Sequence, residues 1–331
     1  MNSVVTALCN ICGNDVVQTI YDLKINMKNK ISYFSVVECG KCGLLFIHPL
    51  PGAKEVIESY PEDYYAWKNE SESKLKKLLK RIIFEECGNY PQPRSIFMVK
   101  MLRKVIAFLG RSSVSITIPF QEKQRILDVG CGSGHMLEWL SLYNYELCGV
   151  DISDYAIKCA KKKGFNVQCG ELKDVHYPSA YFDIIVLNHV IEHVRDPFGL
   201  IKEIRRILKP HATVIIGIPN IESYDHRVFG SDWSGLQIPM HIYHFSASSM
   251  RFLLERAGFI NDKIIGKYLF IPNMSRNSLN SYRKHHDFFE ILICIIRIYF
   301  WKYFRLLFIK DKYRQAEFLT FYARRSSEVR G

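Results

Sequence analysis

A chain of 331 residues, 48% of them hydrophobic and 24% charged, can bury a sizeable core, which excludes a disordered tail or a fibrous repeat. Its formal net charge of +12 suits an anionic partner, such as a nucleotide-linked substrate, a nucleic acid or an acidic membrane surface. The first twenty residues are polar and cysteine-bearing, without a basic flank or apolar block, so no export signal is expected; the ten cysteines then fit a reducing, cytoplasmic setting, as thiols or metal ligands.

Taken in chain order, the first feature is Cys9-x2-Cys12 and, after 26 intervening residues, Cys39-x2-Cys42. Each pair is followed by a glycine, Gly13 or Gly43, as in a knuckle whose backbone amides turn toward sulfur. Four thiolates so spaced close a tetrahedral Zn2+ shell with no open position, so the expected zinc is structural and does no chemistry. Residues 33–38 alternate like a strand, and the unit, residues 1–50, resembles a zinc ribbon.

Residues 51–122 are expected to connect and cover. A short helix leads to Tyr60, Tyr64, Tyr65 and Trp67. Such aromatics either staple a junction or lie as a lid over a cationic cofactor, whose charge their faces attract. Leu75, Leu78, Leu79, Ile82 and Ile83 keep helical spacing, Tyr90-Pro-Gln-Pro breaks it, and a second helix runs from Ile96 to Leu109. Both read as helices packed beside the next domain. Lys74, Lys76, Lys77 and Lys80 read as a solvated face; nothing matches a nucleic-acid module, so no nucleic-acid partner is expected.

The run Ile126-Leu127-Asp128-Val129 reads as a buried strand that breaks into Gly130, Gly132 and Gly134 around Cys131, followed by a helical pattern from His135 to Tyr143. Strand, glycine turn and helix bring bare backbone close to a nucleotide. A second strand, 147–150, ends in Asp151, where an acid commonly holds ribose hydroxyls. Strands 166–169, 182–188 and 213–218 alternate with helices 154–162 and 197–208, the order of a parallel α/β sheet. Gly130, Asp151, Glu171 and Asn188 all fall on carboxyl ends of strands, which line one crevice.

Dinucleotide folds space their glycines G-x-G-x-x-G. This chain has G-x-G-x-G with Asp128 in the preceding strand, and that run resembles motif I of the class I S-adenosylmethionine (SAM) methyltransferases. The resemblance implies a seven-stranded Rossmann-like sheet with SAM as cofactor. Asp128 would lie near the methionine part, Gly130, Cys131, Gly132 and Gly134 would pass under the cofactor, and Asp151, with Ile152 beside it, would grip the ribose. The turn at Glu171 and Leu172 would face adenine, and Asn188 both cofactor and acceptor.

After the fourth strand, whose Asp183 is expected to be structural, His189, Glu192 and His193 stand at i, i+3 and i+4 and would share one face of a helical turn. The set can bind a divalent metal. It is similar to the Glu-x-x-Glu-His motif of ubiquinone-pathway O-methyltransferases and some small-RNA methyltransferases, but begins with histidine instead of glutamate. His189 or His193 can equally act as a base without metal. Asp196-Pro197 starts the next helix.

Residues 219–246 form a long loop rich in Trp, His, Asp and Arg, as binding loops are. Trp233 is expected to stack on a sugar or base, Arg227 to pair with a phosphate, and His241 or His244 to serve as second base or added metal ligand, unless His244 only caps or braces the next helix; Ser246 caps helix 247–257. With the cysteine knuckles and the Pro-x-Pro and Tyr-rich segment, this loop resembles a bacterial methyltransferase group found with surface-polysaccharide genes, a likeness covering residues 9–67 and 126–260. It implies methyl transfer to a small-molecule or glycan acceptor. The first choice is a sugar hydroxyl on a nucleotide, lipid or polymer. The alternatives are C-methylation of a keto-sugar, a quinone-type O-methyltransferase, a SAM-binding module without turnover, or a zinc-dependent nucleic-acid modifier.

Strand six is expected at 260–271 and an antiparallel strand seven at 316–324, so the methyltransferase domain takes in 123–271 and 314–326. The insertion 272–313 holds an almost wholly apolar stretch, Phe288–Ile309, whose charges Glu290, Arg297, Lys302 and Arg305 fall on roughly one-third of a helix circumference. That suits a helix lying in a membrane surface, or a dimer or core helix; three interior basic charges argue against crossing a bilayer.

Overall fold

The computed structural model describes residues 4–27, 30–52, 55–56, 59, 73–91, 96–110, 114, 116–267, 273–301 and 312–326. Two sheets organise them. The larger has seven strands in the order β11-β12-β9-β8-β5-β6-β7. Its strands are β5 (Arg125–Val129), β6 (Glu146–Asp151), β7 (Asn166–Cys169), β8 (Phe182–Asn188), β9 (Leu208–Pro219), β11 (Phe259–Lys267) and β12 (Phe318–Arg325). β9, β8, β5, β6 and β7 run parallel, and β12 lies antiparallel between β9 and β11. This is the sheet expected from the alternating pattern, with β12 returning after the insertion.

The central strands are apolar on both faces because helices cover both. Ile126, Leu127, Ile185, Val186 and Ile216 are fully buried. The helices start where local chemistry allows. Ser153 accepts from the Ala156 amide at the head of α4 (Asp154–Lys162), and Lys161 and Lys162 complement its dipole at the far end. Asp196 caps α5 (Pro197–Ile207), whose first residue is proline. A Ser246–Ser249 capping box opens α7 (Ala247–Arg256). Asp183 is structural: its carboxylate accepts from the Arg125 amide at 2.9 Å and from Lys209 Nζ at 2.7 Å, tying β8 to its two neighbours. The first helix after the glycine turn, α3 (His135–Leu140), ends short of Tyr143.

The smaller sheet has five antiparallel strands, β1 (Val4–Thr6), β2 (Val16–Met27), β3 (Lys30–Cys39), β4 (Leu45–His48) and β10 (Tyr243–His244), in that order. The first four belong to the cysteine-rich lobe. The fifth comes from the long loop 219–246: Tyr243 pairs with Phe46 and His244 with Leu45. The lobe's buried side chains, Ile11, Val36, Leu44 and Ile47 among them, run without a break into the core beneath β8 and β9.

On the face of the large sheet away from the lobe's core lie α1 (Lys74–Cys87) and α2 (Phe97–Gly110), joined in one layer by Arg103 of α2, which binds Glu85 at 2.7 Å and Glu86 at 2.9 Å on α1. In the insertion, α8 (Asn273–Tyr282) and α9 (Phe288–Ile296) follow β11, and a π-turn, Arg297–Trp301, extends α9. Tyr60, Tyr64, Tyr65 and Trp67, read as a staple or lid, lie outside the described residues, as do residues 302–311 of the apolar stretch. Among the described residues no helix is long and apolar enough to cross a membrane.

Candidate functional site

The crevice opens at the carboxyl ends of β5, β6 and β8, where the strand order reverses. Gly130 and Gly134 need to be glycine. Their φ values are +75° and +84°, and an added Cβ would lie 2.4 Å from Val190 Cγ2 and 2.9 Å from Phe165 Cδ2 respectively. Gly132 turns its amide to Asp151 Oδ2 at 2.8 Å, and Ser153 turns its own to Oδ1 at 2.8 Å, so the second strand end is stitched to the glycine turn. Burial raises the Asp151 carboxyl despite these amides. Asp128, deeper in β5, is pushed up to about 8 by burial and by the neighbouring Asp151 charge.

Cys131 and Leu172 are buried, whereas Ile152 is 60% exposed, an apolar side chain at the mouth of the crevice. Glu171 points to solvent and pairs with Lys173 at 2.9 Å. Asn188 ends β8, and the His189 amide after it binds the Gly217 carbonyl of β9 at 3.0 Å.

The next residues do not form the expected helical turn. His189 takes a left-handed φ of +57°, and a 3-10 turn covers only Ile191–His193. His189 Nδ1 lies 3.2 Å from Glu192 Oε1, and its side chain keeps partial exposure next to Phe318. The metal-type cluster is therefore composed differently from the predicted one. Glu192, His193 and His241 bring one ligand atom each within 4.8 Å of one another, and His241 takes the place given to His189. His193 Nδ1–H donates to the Met240 carbonyl at 3.0 Å and His241 Nδ1–H to the Gly235 carbonyl at 2.9 Å. Each ring so held presents its Nε2 to the cluster, the usual arrangement for metal-bound imidazole.

Glu192 is 1% exposed, and its Oε2 has no hydrogen-bond partner among the described residues. Burial works against its charge, but the His189 hydrogen bond and the surrounding imidazoles hold it below the usual carboxylate range. Burial pushes His193 down, His241 down to about 3, and His244 well below its usual range. These imidazoles are neutral at pH 7, the form that binds a divalent cation, and poor bases for a hydroxyl. Two nitrogens and a carboxylate around an orphaned buried oxygen fit such an ion. A narrow cleft adjoins them, lined also by Trp233, Tyr243 and His244.

Trp233 is not the exposed stacking platform expected from sequence. It is 2% exposed and packs its ring 5.2 Å from His226, folded over Gly235. Arg227 is exposed and His244 is buried in β10. His226 in turn meets Tyr21 of the cysteine-rich lobe, with Nε2 3.2 Å from the phenol oxygen.

In that lobe the four thiols converge within 4.8 Å, with Cys9 Sγ–Cys42 Sγ at 3.6 Å and Cys12 Sγ–Cys39 Sγ at 3.4 Å. Sulfurs about 2.3 Å from a central ion stand at comparable separations, so the set fits tetrahedral zinc. Gly13 and Gly43 adopt φ of +73° and +67°, and their amides bind the Cys9 and Cys39 carbonyls at 2.9 Å, where amides turned toward the sulfurs were expected. Asn10, inside the first knuckle, donates to the Tyr243 hydroxyl at 2.7 Å. The sequence offered no signal for this contact, because β10 is two residues long and its partners lie far along the chain.

A family model described as a methyltransferase domain matches residues 97–264. An uncharacterized protein of Methanocaldococcus jannaschii is 29% identical over 141 residues, 43% of this chain and 67% of that protein. Ubiquinone biosynthesis O-methyltransferase of Coxiella burnetii is 30% identical over 118 residues, 33% of this chain; the chain spans half (50%) of that relative's length. A solved SAM-dependent methyltransferase from Archaeoglobus fulgidus aligns over 73% of this chain and 98% of its own, at 22% identity and a TM-score of 0.44. The family match takes in just over half of the residues, the glycine turn and the strand ends around it included, and on that ground the chain belongs to the SAM-dependent class I methyltransferases.

Proposed function

We propose that the protein transfers the methyl group of SAM to a hydroxyl of a sugar carried on a nucleotide, a lipid or a polymeric glycan. The observation that carries O-methylation is the end of β8. Val190 packs against Gly130 of the cofactor turn, and His189 beside it is partly exposed with a buried carboxylate behind its ring. The residue that touches the cofactor turn, Val190, and the proton acceptor, His189, are thus neighbours at the end of β8. The sugar class rests on the likeness of the knuckles and the 219–246 loop to polysaccharide-associated methyltransferases.

SAM supplies an electrophilic methyl, so the chain has to align the acceptor and take up its proton. Glu192 fixes His189 by Nδ1 and stabilises the imidazolium, which leaves Nε2 to receive the hydroxyl proton. Glu192, His193 and His241 would hold a divalent cation, whose charge would favour the alkoxide form of the acceptor. That cluster favours a second reading, methylation of a catechol-like hydroxyl, in keeping with the name of the Coxiella relative. Mn2+ uptake followed by electron paramagnetic resonance is expected for the wild-type chain and lost in Glu192→Gln. Retained uptake in the variant removes this cluster from consideration.

The functional test is transfer of labelled methyl from SAM to nucleotide-sugars, lipid-linked glycans, keto-sugars and catechols in parallel. His189→Ala is expected to lower kcat by about 10²–10⁴-fold, with the Kd for SAM within a few-fold of wild type. Undiminished turnover ends its assignment as the base. A keto-sugar methylated at carbon also gives up a proton, from the α-carbon, so the atom that carries the labelled methyl in the product, and not the dependence on His189, separates the two acceptor chemistries.

A further inference from the structure

We infer that the outward face of α2 is a docking surface for an anionic phospholipid bilayer. An amphipathic helix packed beside a domain ordinarily turns its apolar side inward. The structure turns it outward. At 100° per residue, Phe97, Met101, Val105, Met98, Leu109 and Leu102 span an arc of about 140°, and they are between 48% and 76% exposed. The side toward the protein carries the small Ala107, which is buried, and Arg103, which reaches back to Glu85 and Glu86. An ordinary surface helix is arranged the other way round.

The stripe has a basic margin. Lys100 and Lys104 are both exposed and follow directly along one edge of the arc. No acidic residue occurs anywhere on α2. This margin, within a chain of net charge +12, selects an anionic occupant. A second copy of the chain would bring two cationic margins together over the same apolar stripe. An amphipathic helix of this pattern lies in the headgroup region with its apolar side inserted and its lysines at the phosphates.

α9 is built alike. Phe288, Phe289, Leu292, Ile293 and Ile296 are exposed on one side, Cys294 and Ile298 are buried on the other, and Arg297 is exposed at the margin. A membrane-surface contact through 288–309 would use this side of the described residues. α2 reaches the core on one face of the large sheet through Ile106, and α9 reaches the core on the other through Cys294. The segment after α2 passes the carboxyl ends of its strands, where the Val114 carbonyl accepts from Lys267 Nζ at the end of β11 and Ile116 lies against Gly217. α8 and α9 leave from that end of β11. Docking would therefore hold the crevice edge near the lipid surface. The docking stands independently of methyl transfer; its use, access to a lipid-linked acceptor, rests on the reading proposed above.

The test is co-sedimentation of the full, zinc-loaded chain with vesicles of phosphatidylcholine containing one-third phosphatidylglycerol, against phosphatidylcholine alone. Partition onto the anionic vesicles is expected to exceed that onto neutral ones by about tenfold or more, since each lysine at the surface contributes on the order of 1 kcal/mol. Phe97→Ser with Met101→Ser should reduce it at least tenfold, and Lys100→Glu with Lys104→Glu similarly, with SAM affinity unchanged in both. Leu292→Ser with Ile296→Ser measures the share of α9. The inference is overturned if the α2 pairs leave partition unchanged, if the wild-type chain does not bind, or if it is a dimer that Phe97→Ser with Met101→Ser converts to monomer.

Discussion

Replacing Asp151 by asparagine is expected to weaken SAM binding by about two orders of magnitude and to leave the fold in place. The two carboxylate oxygens each accept a backbone amide, Gly132 on Oδ2 and Ser153 on Oδ1, both at 2.8 Å. An asparagine side chain presents one acceptor and one NH2. Whichever way it turns, one amide then faces a donor. A buried donor left without its acceptor costs about 1–3 kcal/mol, and here that cost falls on the turn that shapes the cofactor floor. The same substitution removes the charge that the ribose hydroxyls would meet. Isothermal titration with SAM reads both losses together.

Gly130→Val reaches the same floor by sterics and separates the two. Its φ of +75° is strained for a branched side chain, and the added carbon would overlap Val190 Cγ2. SAM binding is expected to fall below detection while the Asp151 carboxylate stays intact. If both variants bind SAM as the wild type does, the crevice at the ends of β5 and β6 is not the cofactor site.

Much of this was legible in the sequence because it is local. A strand, three glycines and a helix lie within twenty residues, and apolar runs of four to seven residues separated by helical spacing define the parallel order without distant information. The cysteine knuckles are local in the same sense: two residues between sulfurs and a glycine after them fix the turn. What the sequence hid is long-range or depends on direction. His189, Glu192 and His193 have a spacing that fits a helical turn, but the left-handed φ at His189 swings its ring to Glu192 Oε1 and leaves the vacant place for His241 from another loop. Trp233 reads as a platform by composition and is buried by packing against His226. The periodicity of α2 shows an apolar stripe, yet periodicity does not say which side meets the protein; the ion pairs of Arg103 with α1 decide it.

Removing zinc, by chelation or by Cys39→Ser, is expected to abolish acceptor turnover while SAM affinity stays within about threefold. A structural zinc shell would ordinarily concern its own lobe. Here the lobe's sheet ends on β10, so a zinc ion held by the four cysteines would support a strand of the acceptor loop. The path is short and continuous. The first knuckle holds Asn10, which donates to Tyr243; Ile47 of β4 donates to the Ile242 carbonyl at 3.0 Å; and Ile242 donates in turn to the Glu192 carbonyl at 2.8 Å. Zinc binding in small knuckles is worth about 10–16 kcal/mol of folding free energy, far more than the few hydrogen bonds between β4 and β10 supply. Without it the lobe has no means of holding β10 in register, and His241 and His244 lose the backbone on which they stand. The glycine turn and Asp151 lie at the ends of β5 and β6, which belong to the large sheet and, among the described residues, pair with no strand of the lobe. Hydrogen exchange should therefore quicken at 242–246 and stay slow at 126–132. Exchange that remains slow at 242–246 in the zinc-free chain would show that the acceptor wall stands without the metal; loss of protection in both segments would show that lobe and large sheet unfold as a single unit.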